Sequence, residues 1–167
     1  MKEMTKQNLY AAFAGESQAH MKYSIFADKA EREGFPEVAR LFRAIAYAEK
    51  VHATNHLRVL GGINDTSTNL AGAKGGENFE VEEMYPAYDA VAKIQGEKEA
   101  EKSILYAIEA EKIHEVMYDD AKKAVDTKKD IAKDNVYVCP VCGHSVIGEP
   151  HDDCPVCKLK KDKYVKF

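Results

Sequence analysis

The chain has 167 residues, 31% of them charged and 45% hydrophobic, and its 28 acids against 24 bases give a net charge of −4. That composition excludes a disordered chain, and mild acidity without a basic block argues against nucleic acid or an anionic membrane surface as a partner. No apolar run reaches the roughly 18 residues of a membrane span, and the N-terminal MKEMTKQNLY lacks an apolar signal region, so the expected location is the cytoplasm.

From Thr5 to Glu33, the apolar positions Leu9, Ala12, Phe13, Ala19, Tyr23, Phe26 and Ala30 recur at three and four, which predicts a long amphipathic helix. Gly34 reads as its C-cap, and Pro36 as the first turn of a second helix that runs to Leu60. The stretch from Gly61 to Gly76, rich in Gly, Asn, Asp, Ser and Thr, predicts a long irregular crossover. A third helix is expected from Glu77 to just before Gly96, and a fourth from Glu97 to Lys128. A shift of 62 residues lays Glu49-Lys50-Val51-His52 on Glu111-Lys112-Ile113-His114, Tyr23 on Tyr85, Ala30 on Ala92 and Gly34 on Gly96. Two similar helical hairpins joined by a crossover make a four-helix bundle with pseudo-twofold symmetry.

Glu49/His52 and Glu111/His114 are i, i+3 pairs, so each pair shares one helix face. Glu16 lies on the first helix, and Glu77 and Glu80 open the third. Small neighbours (Gly15, Ser17 and Ala19; Ala46 and Ala48; Ala107 and Ala110) point these carboxylates towards a packed interior. Carboxylates there pay a heavy desolvation penalty and repel one another unless a cation sits between them. One Glu on each of two helices with Glu-x-x-His on the other two is the di-iron or di-manganese carboxylate pattern. His20 and His56 are read as non-ligands, because the repeat does not duplicate them. Tyr23 and Tyr85 lie two turns from Glu16 and Glu77, placed either to hydrogen-bond ligand carboxylates or simply to fill the core.

Beyond Asn135 the chain turns short, β-branched and rich in turn residues. So small a segment cannot stabilise itself by apolar burial and calls for a metal. Cys139-Pro-Val-Cys142-Gly and Cys154-Pro-Val-Cys157 bring four thiolates together in a cage suited to zinc or a single iron. Zinc would only fold the segment, whereas iron would carry one electron; the spacing does not choose between them. The Cys-Pro-x-Cys-Gly knuckle and the aromatic-ended tail, Tyr164 and Phe167, lean towards iron of the rubredoxin type. His144 and His151 are read as surface loop residues.

Phe-Ala-Gly-Glu16-Ser-Gln-Ala, Ala-Glu49-Lys-Val-His52, Gly-Glu77-Asn-Phe-Glu80-Val-Glu-Glu-Met-Tyr85-Pro, Ala-Glu111-Lys-Ile-His114 and the paired knuckles occur in one order. Together they resemble the rubrerythrin family. The resemblance implies a mainly α chain: a ferritin-like di-iron four-helix bundle over residues 1–130, then a small metal-stabilised rubredoxin-like β domain over 134–167. It implies that Glu16, Glu49, Glu77, Glu80 and Glu111 with His52 and His114 hold two irons, one of which moves between His52 and Glu80 with redox state. It implies that Tyr23 and Tyr85 hydrogen-bond the ligand carboxylates and that Cys139, Cys142, Cys154 and Cys157 hold a third iron. The implied activity is reduction of hydrogen peroxide to water, protecting an anaerobe or microaerophile from oxidative stress. Electrons would arrive through the rubredoxin-type iron from a nicotinamide-nucleotide-linked reductase or a rubredoxin. The implied assembly is a head-to-tail homodimer, with the glycine-rich loop permitting exchange of helix pairs. Two rival readings are a ferritin-like iron store and a non-catalytic bundle with a structural zinc ribbon. Lys158 stands where rubredoxin-type second knuckles place a small residue such as Gly, which puts the backbone hydrogen bonds there in question.

Overall fold

A computed structural model describes residues 1–167. Helices α1 (Glu3–Arg32) and α2 (Pro36–Val59) form a hairpin. Gly34 turns the chain between them with φ +83°, a left-handed backbone that a Cβ would strain, and Pro36 starts α2 with its φ already helical. The seam is alanine. Ala27 and Ala30 of α1 meet Ala39, Ala46 and Ala53 of α2, all buried. Small side chains let two helix backbones approach closely, and the regular interval of seven on α2 keeps one face on the seam. The His20 ring crosses it to the Ala46 carbonyl at 2.7 Å, and the rings of Tyr23, Phe26 and Phe42 cluster beside it. This hairpin forms one compact unit, Met1–Asn64.

The second unit, Asp65–Phe167, begins with a departure from the sequence reading. The expected long crossover is short, because helix α3 (Thr66–Phe79) already starts at Thr66. Asp65 caps it, accepting the Thr68 N–H at 2.8 Å. Each internal Gly weakens a helix by about 1 kcal/mol relative to Ala, and Gly72, Gly75 and Gly76 all lie inside this one. Tertiary contacts outweigh that. Lys74 pairs with Asp119 at 2.8 Å, Ser67 hydrogen-bonds Asp126, and α3 lies along helix α5 (Lys98–Asp126). From Phe79 the chain passes through one π-helical turn, Glu80–Met84, into α4 (Tyr85–Gln95), which ends at left-handed Gly96.

The C-terminal segment is a three-stranded antiparallel sheet, β1 (Val136–Val138) flanked by β2 (Ser145–Ile147) and β3 (Val165–Lys166). Tyr137 pairs with Val146 on one side and Lys166 on the other. Its core is Cys139, Cys142 and Cys154, with Val156, Leu159, Tyr164 and, from α5, Tyr106 packed around them. The mainly helical architecture with a small C-terminal sheet and a cysteine cluster is the one the sequence predicts. No helix is long and apolar enough to cross a membrane.

Candidate metal centres

Three groups of metal-ligating side chains converge, each with donor atoms within 4.8 Å of one another. In the first unit, Glu16 of α1 meets Glu49 and His52 of α2. His52 Nδ1 lies 3.0 Å from Glu49 Oε2 and 3.9 Å from Glu16 Oε1. In the second unit, Glu77 of α3 meets Glu111 and His114 of α5, with His114 Nδ1 2.6 Å from Glu111 Oε2. The two trios match the repeat and have the donor set of a hard, imidazole-tolerant cation such as iron or manganese.

Glu77 and Tyr23 expose a register problem that the backbone solves. Tyr85 follows Tyr23 by 62 residues, but Glu77 follows Glu16 by only 61. The π-turn Glu80–Met84 lies between Glu77 and Tyr85. A π-turn accommodates one extra residue in a continuous helix, and such insertions concentrate at functional sites. It lets Glu77 and Tyr85 both keep the faces that Glu16 and Tyr23 have on α1. Glu80 sits in that turn, outside the trio but close enough for Glu111 to perturb it. Burial first, then the Glu111 charge, raises its pKa. Burial and the neighbouring carboxylates of Glu80, Glu111 and Glu77 raise Tyr85 as well, which favours its protonated phenol. Tyr23 packs instead among Phe26 and Phe42.

The third group is Cys139, Cys142, Cys154 and Cys157, all free thiols. Cys139 Sγ to Cys157 Sγ and Cys142 Sγ to Cys154 Sγ are both 3.5 Å. A disulfide would need about 2.05 Å, whereas a tetrahedral cage with metal–sulfur bonds of about 2.3 Å has S···S edges of about 3.8 Å. Burial pushes the Cys154 thiol up, but the N–H groups of Cys157 and Val156 and the Tyr164 hydroxyl outweigh it and hold Cys154 down at about 6. Burial raises Cys142. The two knuckles share one turn: Gly143 N–H reaches the Cys139 carbonyl and Lys158 N–H the Cys154 carbonyl, each at 3.0 Å. Lys158 takes the left-handed conformation (φ +65°) that Gly143 takes freely (φ +77°). That costs a side-chain-bearing residue about 1–2 kcal/mol, and the backbone hydrogen bond is kept.

Comparison with known proteins agrees with this donor chemistry. The Rubrerythrin family profile matches residues 7–122, and that of the rubrerythrin rubredoxin-like domain matches residues 137–165. The chain belongs to the rubrerythrin family. It is 43% identical to rubrerythrin-2 of Clostridium acetobutylicum, over 98% of this chain and 97% of that one. It is 32% identical to nigerythrin of Nitratidesulfovibrio vulgaris, over 98% and 86%. Among solved structures, mixed-valence and fully reduced, all-ferrous nigerythrin each align at a TM-score of 0.59 with 32% identity, over 98% of this chain and 86% of theirs. This family member is therefore a di-iron protein with a rubredoxin-like four-cysteine iron site.

Two neighbours of the sites escaped the sequence reading. His144, expected on a surface loop, is buried at 7% exposure, with its Nδ1 3.0 Å from the Tyr164 hydroxyl. Burial lowers its pKa, so the ring is neutral. Ser145 is equally buried, and its Oγ lies 2.8 Å from His114 Nε2. Neither His nor Ser after a knuckle announces burial, because the cover comes from helix α5, remote in sequence. His151 is exposed, as expected.

Burial, then the Glu111 charge, lifts Glu77 to about 7 from an ordinary 4.5. A carboxyl raised on folding favours the folded state when protonated. The metal-free protein therefore loses this contribution as pH rises from about 4.5 through 7. Glu77→Gln should flatten that part of the pH–Tm profile and raise the Tm of metal-free protein at pH about 8. Thermal melts of both metal-free proteins at several pH values check this. A wild-type Tm that rises relative to Glu77→Gln between these limits would contradict it.

Proposed function

We propose that this rubrerythrin-family oxidoreductase is a peroxidase in which two electrons and two protons convert one hydrogen peroxide into two waters. When bound, the paired irons supply Lewis acidity and two electrons to the O–O bond, and the tetrathiolate iron passes electrons on singly. Glu16, Glu49 and His52 would hold one metal and Glu77, Glu111 and His114 a second. Glu80, in its π-turn and perturbed by Glu111, would be the redox-dependent carboxylate that the resemblance implies. Tyr85, protonated beside these carboxylates, is placed to give a proton to an oxygen held among them. Tyr23 steadies the other half from its aromatic cluster.

One observation carries this reading above an iron store or a structural ribbon. The cysteine module packs directly on the ligand helix, with Tyr106 against the cage and an added Gly143 Cβ only 3.5 Å from Ala110 Cβ, next to Glu111. An electron carrier belongs there, and a store or scaffold has no use for one. The donor is a nicotinamide-linked reductase or a rubredoxin, and the unbridged thiols favour a reducing compartment, the cytoplasm. Anaerobically reduced protein should consume peroxide, with two electrons leaving the protein per peroxide and the visible bands of ferric tetrathiolate appearing. Reduced protein that is inert to peroxide overturns the proposal.

We further propose a homodimer that exchanges helix pairs. Each trio is half of the centre. Val38 and Ile45, in line with His52 at intervals of seven on α2, remain 45% and 42% exposed. A ferritin-like bundle closed within one chain needs one long crossover between its helix pairs. The connection between α2 and α3 is residues 60–65. Six residues reach about 20 Å, whereas a 24-residue helix such as α2 is about 36 Å long. The α3–α5 unit of a second copy removes the need for that crossing.

A further inference from the structure

We propose that Ser145 is a positioning residue that makes the cysteine module part of the di-iron site, so that filling the cage strengthens metal binding at Glu77, Glu111 and His114. The inference rests on the reading that this trio holds a metal.

Ser145 Oγ is 3.0 Å from the Gly143 carbonyl and 2.8 Å from His114 Nε2. A carbonyl only accepts, so the single hydroxyl proton of Ser145 is committed to Gly143. Ser145 Oγ is then an acceptor towards His114, and Nε2 carries the hydrogen. Nδ1 is then the ring nitrogen left for the carboxylates, 2.6 Å from Glu111 Oε2 with Glu77 beside it. A ring that keeps its hydrogen on Nε2 offers the Nδ1 lone pair to a cation between these groups; without the metal, a proton on Nδ1 bridges to Glu111 instead. Metal-ligating histidines are held in this way by a partner on the ring nitrogen that does not bind the metal, and that partner raises their basicity.

What is unusual is the source of the partner. Ser145 does not belong to the helices. It opens strand β2, three residues beyond Cys142, and Gly143, which takes its proton, is the knuckle residue itself. Cys139 N–H donates to the His144 carbonyl at 2.9 Å, so the same short loop is tied to a second cage cysteine. The segment Cys142-Gly143-His144-Ser145 therefore bridges the cage to the ligand His114. Ser145 is 7% exposed and cannot swing to water. Its position depends on the fold of a module too small to be ordered without its metal. Occupancy of the cage is thereby coupled to affinity at the trio, and the coupling is reciprocal. Within one chain His52 meets only Glu49 and Glu16. The ion on His114 therefore answers to the cage of its own chain.

The test uses full-length protein with iron in the cage, titrated with Mn(II), a hard cation that does not compete for thiolates. Loss of the free Mn(II) EPR signal reports binding. In Ser145→Ala and Ser145→Val, one of the two manganese ions per chain should bind about tenfold more weakly, the lower end of what outer partners of metal ligands contribute. Ser145→Thr should bind as wild type, since Thr and Val match in volume and differ by the hydroxyl. The visible spectrum of the cage should be unchanged in all of them. Emptying the cage of wild type should produce the same loss, and emptying that of Ser145→Ala should add nothing further. Wild-type affinity in Ser145→Ala, equal behaviour of Thr and Val, or additive losses would each overturn the proposal. None of these readouts involves peroxide, so a failed peroxidase assay leaves this result standing on its own.

Discussion

Cys154→Ser combined with Cys157→Ser should unfold residues 134–167 while the helices survive. The segment's buried core is little more than the cysteines themselves: Cys139 and Cys154 are the largest fully buried side chains in the chain. Its sheet has strands of three, three and two residues, which cannot stand alone in water. Structural zinc in small finger peptides contributes an apparent binding free energy of about 10–16 kcal/mol, which is their folding free energy, and a four-cysteine cage in so small a module acts in the same way. Removing the second knuckle should abolish amide protection of Val136–Val138 and Ser145–Ile147 and the visible bands of the iron. The helical signal in circular dichroism should persist, since α1–α5 need none of these residues to close their own hydrogen bonds. Hydrogen exchange on the metal-loaded variant decides it: protected strands without the second knuckle would show that the module has a core independent of its metal.

Ligand removal from the bundle should have an effect as large, with a pattern that reads out the assembly. Glu49→Ala/His52→Ala strips the trio of the first unit, and Glu111→Ala/His114→Ala strips that of the second. Outer partners of metal ligands are worth up to about 100-fold, and loss of two ligands should exceed that in either variant, leaving no measurable peroxide reduction. If helix pairs are exchanged between copies, folding the two variants together restores activity. In a mixed dimer one centre takes both damaged halves and the other takes both intact halves. Random pairing makes half of the dimers mixed and half of their centres whole, so activity returns to about one quarter of wild type. Mixing the variants after each has folded should restore nothing. No recovery on co-folding would show that each centre is closed within one chain, and residual activity in either variant alone would remove its residues from the ligand set.

Much of this was readable because metal chemistry constrains residue type and spacing together. Glu49/His52 and Glu111/His114 recur with a fixed offset, and the cysteine knuckles admit few other uses. Capping signals were equally direct: Gly34 and Gly96 both adopt the left-handed backbone that helix ends favour. The start of α3 was not readable. Gly72, Gly75 and Gly76 oppose a helix locally, and only packing along α5, the Lys74–Asp119 pair and the Asp65 cap reverse that preference. His144 differs from its expected surface position for a similar reason: Tyr164, twenty positions further on, packs edge-on against its ring and hydrogen-bonds it.

The sequence by itself determined the donor sets, since a cation between carboxylates and imidazoles, or within four thiolates, leaves few alternatives for charged groups in a packed interior. It also determined the repeat, and with it the family. The tertiary structure decided how those donors are aimed. One extra residue between Glu77 and Tyr85 is invisible as a periodicity, and the π-turn that absorbs it lets both keep the faces of their counterparts on α1. The partner of His114 Nε2 comes from a strand 31 positions further along the chain. That contact is a distance through space, set by the docking of a small metal-folded module on helix α5, and no local pattern of residues encodes it.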